Sequence, residues 1–143
     1  MKKVIATLIL SASALAANAI EVGVEGVHDY GVHKNGYRAT AEVLGIDLSA
    51  THMGHSYNRV TVGKDFDIFK FGNATFSAGV AGAYQDTLVN KVQNGYGAVV
   101  DANVNIKVTK KVEAVVGVEH FTGQSQVKSF NGNAATLGLN IKF

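Results

Sequence analysis

Five histidines, eleven carboxylates and one His-Ser pair are the residues of this sequence with the most reactive side chains. Imidazole is a common metal ligand, so His28, His33, His52, His55 and His120 would make a metal site if loops drew three of them together. The spacing His52-x-x-His55 argues against that in an extended segment, where residues three apart face opposite sides. His55-Ser56 has the composition of a hydrolytic base and nucleophile, but adjacent strand residues also point apart. Neither GxGxxG nor a P-loop occurs, and 90–95 holds no phosphate-binding loop. These residues predict no catalytic site, no cofactor and no resident metal.

The elements that must position the remaining charges are strands. Tyr96, Ala98, Val100, Ala102, Val104, Ile106 and Val108 alternate with Gly97, Val99, Asp101, Asn103, Asn105 and Lys107, giving one apolar and one polar face. Val112, Ala114, Val116 and Val118 repeat the pattern against Lys111, Glu113, Gly117 and Glu119. Counting onwards predicts eight strands, at 20–30, 36–44, 46–55, 58–68, 74–85, 95–109, 111–122 and 134–143. Their connections alternate between one set containing three longer polar loops (31–35, 56–57, 86–94 and 123–133) and a tight set (45, 69–73 and 110). An even number of strands of this length, with short turns at one end and longer loops at the other, predicts an all-β, eight-stranded antiparallel transmembrane up-and-down barrel.

Composition agrees. The 143 residues are 47% apolar and contain no Cys, Pro or Trp. Lys2 and Lys3, the apolar run 4–14 and Ala17-Asn18-Ala19 have the form of an export signal, so 1–19 is expected to be a cleaved leader and 20–143 the barrel. Without the leader's lysines, eleven basic side chains face eleven acidic ones, which removes the electrostatic argument for a nucleic-acid partner.

A soluble sandwich also alternates, but it turns its apolar face inward. Here the polar set carries Glu21, Glu25, Arg38, Glu42, Asp47, Arg59, Asp65, Asp67, Asp101, Lys107, Lys111, Glu113, Glu119 and Lys142, while the apolar set is Val, Ile, Leu and Ala, a coat for lipid. The charges are expected inside, as a satisfied lumen network of Glu21, Glu25, Arg38, Glu42, Asp101, Lys107, Glu113, Glu119 and Lys142. Lys142 is expected to have Glu21 and Glu113 as neighbours, and a proton or cation pathway is the functional alternative to a structural network. Aromatics are expected in two interfacial girdles: Tyr30, Tyr37, Tyr57, Tyr84 and Tyr96 on the loop side, Phe66 and Phe76 on the turn side. Lys64 breaks the apolar face and implies snorkelling, a bulge or a register error.

The terminal Leu137-x-Leu139-x-Ile141-x-Phe143 resembles the C-terminal assembly signal of bacterial outer-membrane barrels. With the leader, the eight strands and the lack of Cys, the chain resembles the small eight-stranded family that includes the outer membrane protein A transmembrane domain and opacity-type proteins. That resemblance implies a Gram-negative outer membrane, periplasmic termini, lipid and lipopolysaccharide around a monomer, and barrel-assembly machinery during insertion. The lumen of eight strands is filled by side chains, which favours a structural or surface-interaction scaffold, with an extracellular ligand engaged through the loops. A small ion-conducting pore is the alternative. A lipid-modifying enzyme is the more distant one, since 53–58 does not match the motif of the small lipid A deacylases.

Overall fold

Alternation becomes architecture through register. The computed structural model describes residues 20–88, 94–124 and 127–143. The expected leader at 1–19 lies outside the described residues, as do 89–93 and 125–126 within the two longest loops. Eight strands follow one another: β1 (Ile20–Asp29), β2 (Lys34–Val43), β3 (Ile46–Met53), β4 (Tyr57–Phe71), β5 (Ala74–Thr87), β6 (Gly95–Lys107), β7 (Val112–Gly123) and β8 (Gly132–Lys142). A single 3-10 turn, Lys128–Phe130, interrupts the last loop. Each strand pairs antiparallel with the next, and β8 returns to β1 to close the barrel. Closure leaves no sheet edge to pair with lipid or another chain. At the seam the Phe143 amide donates to the Ile20 carbonyl at 3.0 Å.

The tight turn between β2 and β3 places both Leu44 (φ 55°) and Gly45 (φ 74°) in the left-handed region, which matches the twist of a two-residue hairpin. On the loop side β3 stops at Met53, because Gly54 turns left-handed at φ 54° instead of continuing the strand to 55. The largest departure from the expected boundaries is β4, which runs through 69–71 where a turn was expected. A bulge between Asp67 and Phe69 absorbs one residue there and returns Phe69 to the outer face. Phe69 then stacks on Phe76 of β5, with ring centroids 5.2 Å apart.

Outward positions are apolar and exposed along the wall, among them Val24, Val62, Val80, Val100, Val118 and Leu137. Such a continuous apolar exterior is a liability in water and a solvent match in a bilayer. Lys64 is in register on this outer face, opposite Val80, and the bulge lies further along the strand. Its Nζ rests 5.6 Å from the Phe66 ring centroid, so the ammonium reaches along the wall over an aromatic face.

Candidate functional site

The inward parity of the strands assembles a lumen with two unlike halves. Nearest the loops it is packed with side chains, a lid of two clusters: Val27, Met53, Tyr57 and Ala134 form one buried cluster, with Val32 and Phe130 against it. Ala83, Val99, Phe121 and Val127 form a second. Tyr57 does not join the aromatic girdle. It has the parity of Arg59, points inward and is fully buried (0% exposed). Its hydroxyl donates to Asp29 Oδ2 at 2.6 Å, while Asp29 Oδ1 accepts the Gly31 and Val32 amides at 2.7 and 3.2 Å.

Below this lid Arg59, 1% exposed, is clamped between two rings, its guanidinium carbon 4.6 Å from the Tyr57 centroid and 3.9 Å from that of Phe121. Gly97 makes the clamp fit, since a Cβ there would collide with the Phe121 ring. Arg59 Nε donates to Gln85 Oε1 at 2.9 Å and Nη1 to Glu119 Oε1 at 3.1 Å. The other carboxylate oxygen of Glu119 accepts from Arg38 Nη2 at 2.6 Å. Arg38 continues through Nη1 to Glu25 Oε2 at 3.4 Å and through Nε to Thr51 Oγ1 at 2.9 Å. Two guanidinium groups and two carboxylates thus form one neutral chain that bridges β1, β2, β4 and β7 across the lumen. Arg59 Nη2 and Gln85 Nε2, both buried, have no acceptor among the described residues.

Towards the turns the lumen opens into a polar cavity of about 440 Å³. Asp65 and Asp101 meet over Gly79, where a Cβ would collide with both carboxylates. Asn103 Nδ2 donates to Asp101 Oδ1 at 2.7 Å and to Asp65 Oδ2 at 3.1 Å, and Asp47 Oδ2 accepts the Asp65 amide at 2.7 Å. At the seam Lys142 Nζ lies 2.9 Å from Glu113 Oε1 and 3.3 Å from Glu21 Oε2, and Glu21 Oε1 accepts from Asn140. Glu42 and Lys107 stand exposed at the mouth and make no ion pair among the described residues. Glu42 is flanked in register by Glu21 and Asp47, three carboxylates abreast.

The other sequence-derived positions divide between the outer wall and the turns. Leu137, Leu139 and Ile141 face outward on β8, and Phe143 is exposed beyond it. Tyr30, Tyr37, Tyr84 and Tyr96 are exposed near the loop ends, with the Tyr84 and Tyr96 rings 5.3 Å apart across β5 and β6. Phe66 is exposed and Phe76 half-buried on the outer wall towards the turns. The histidines do not converge: His33 and His55 sit in turns, while His28, His52 and His120 are spread around the exterior. No group of three or more His, Asp or Glu could hold a metal ion among the described residues. His55 is exposed and Ser56 is buried, so they form no base–nucleophile pair. The lid residues Met53, Phe121 and Val127 were not singled out by sequence. For Phe121 the signal was present, because it shares parity with Glu113 and Glu119.

No protein-family model matches this chain, and no curated protein does. Among solved structures, a de novo designed transmembrane β-barrel is similar to it at 12% identity, over 87% of this chain and 95% of that one, with a TM-score of 0.58. The solution NMR structure of the de novo designed TMB2.3 is similar at 15% identity, over 87% and 94%, with a TM-score of 0.56. Sequences this distant share a fold alone, and the fold they share is the one that the register builds: an eight-stranded antiparallel transmembrane up-and-down β-barrel.

Proposed function

We propose that this barrel is a structural and surface-interaction protein of a bacterial outer membrane, with a plugged lumen and recognition carried on the loops at 86–94 and 123–133. The observation behind the closed lumen is the neutral chain Glu25–Arg38–Glu119–Arg59, held under a lid of buried aromatic and aliphatic side chains. On this reading the guanidinium clamped between two rings stands in the way of a hydrated ion. The scaffold reading therefore expects little or no conductance in planar bilayers. A stable open channel abolished by substitution of Asp101 or Lys107 would overturn it and favour the pore, for which the polar cavity below the plug is the supporting observation.

The orientation belonging to this reading places the short turns and both strand termini in the periplasm and the longer loops outside, on the strength of that difference in length. As the chain has no Cys, a single Lys128→Cys label tests it. Reaction with an impermeant maleimide in intact cells is expected, and protection until the envelope is broken would reverse the assignment. Leu137, Leu139, Ile141 and Phe143 are proposed as the assembly signal. Deleting Phe143 should then lower membrane yield far more than changing Lys128, and equal yields would remove that role.

A further inference from the structure

Three of the four loop-end hairpins carry the same cross-strand device on the outer wall. His28 Nδ1 lies 2.6 Å from Asn35 Oδ1 between β1 and β2. His52 Nδ1 lies 2.6 Å from Asn58 Oδ1 between β3 and β4, and His120 Nδ1 lies 2.8 Å from Asn133 Oδ1 between β7 and β8. Each is a directly opposed pair in the register, and the β5–β6 hairpin carries Tyr84 opposite Tyr96 instead.

The four pairs stand at one height. From Asn35, one step along the same face of β2 reaches Tyr37, the partner of His52. One step from Asn58 reaches Val60, the partner of Tyr84, and two steps from Tyr96 reach Val100, the partner of His120. One step from Asn133 reaches Ala135, the partner of His28, and the circuit closes. Strands about 4.8 Å apart and tilted by about 40° need an offset of roughly two to three residues per hairpin to stay level, which is close to this stepping. The belt lies above the apolar wall, and on β8 the distance from Asn133 to Phe143 at the other rim projects to roughly 25 Å of height, the span of a lipid-facing band.

The chemistry of each pair is directional. Asn Oδ1 only accepts, so in the neutral ring Nδ1 carries the proton and Nε2 remains an acceptor. The Asn Nδ2 amides of the three pairs donate no hydrogen bond to the described residues. Each hairpin therefore presents, from the lipid-facing wall at headgroup level, two amide hydrogens beside a ring acceptor. Phosphate oxygens suit the amide donors, and a sugar hydroxyl suits Nε2.

We propose that the His28–Asn35, His52–Asn58 and His120–Asn133 pairs form a belt that binds the phosphorylated sugar headgroups of the surrounding outer-leaflet glycolipid. This rests on the outer-membrane reading above, but its test does not require a cell. Native mass spectrometry of the detergent-solubilised barrel would count retained lipid after incubation with equal amounts of lipid A, dephosphorylated lipid A or phosphatidylglycerol. Lipid A is expected to be retained several-fold better than either of the others. The triple variant Asn35→Ala/Asn58→Ala/Asn133→Ala should lose about fivefold in lipid A affinity per site, the worth of about one hydrogen bond. Heat-modifiable migration reports that the variant is folded, and if it is not, the three-lipid comparison on the unmodified barrel decides alone. Equal retention of the three lipids, or undiminished lipid A retention by the folded variant, would overturn the belt. Failure of the outer-membrane reading would appear separately, as absence of the protein from outer-membrane fractions.

Discussion

The two halves of the lumen use the same residue types to opposite ends. Towards the loops, Arg59 is buried between two aromatic rings and pairs with Glu119, a buried carboxylate at the inner end of the cavity, so each charge depends on its designated partner. Towards the turns, Lys142 bridges Glu21 and Glu113 with 44% of its side chain exposed, and the carboxylates around Asp65 line a cavity of about 440 Å³. Removing one partner of a buried pair strands the other charge in a low-dielectric interior, whereas water replaces much of an exposed partner. An ion pair's place along the barrel axis is therefore expected to set its worth more than its geometry does. Under the proposed function the packed half is the plug, a structural joint, and the cavity beneath it is a vestibule.

The largest effect should come from Glu119→Ala, which leaves the buried Arg59 without a carboxylate partner among the described residues and Arg38 with Glu25 alone. Urea unfolding in lipid vesicles is expected to show a loss of about 3–5 kcal/mol. A loss below about 1 kcal/mol would mean that water reaches the plug and that the two halves are alike. Next comes Gly79→Ala at the boundary between them, where the new methyl group must displace the Asp65 and Asp101 carboxylates. The same measurement should register about 1–3 kcal/mol, as for overpacking, and no change would indicate carboxylates already free to move into the vestibule. Lys142→Ala should cost least, about 1 kcal/mol or less, with a further fall in the difference at high salt. A cost equal to that of Glu119→Ala would erase the distinction.

Much of this was legible in the residues. Strict alternation from Tyr96 to Ile106 and from Val112 to Val118 sets which side chains face lipid, because a strand has only two faces. Lys142 beside Glu21 and Glu113 follows from the same parity once the last strand closes on the first. The bulge at Asp67 was not legible: one added residue leaves the local sequence alternating on either side and shows itself only against the register of β5. Tyr57 misled because an aromatic at a strand end suits both an interfacial girdle and a buried lid. Its parity with Arg59 was the better guide than its type.

Taken alone, the sequence determined the number of strands, the order of turns and loops and the split between lipid-facing and lumen-facing side chains, all of which depend on periodicity along a single segment. Tertiary structure decided which charges meet. Arg38 and Glu119 stand 81 positions apart in the chain, and Arg59 and Glu119 stand 60 apart. They join across the lumen only because closure and stagger bring β2, β4 and β7 to a common depth. The three His–Asn pairs had the same origin: each lies within one hairpin, but their common height is set by the tilt that closes the barrel, a quantity no single segment contains.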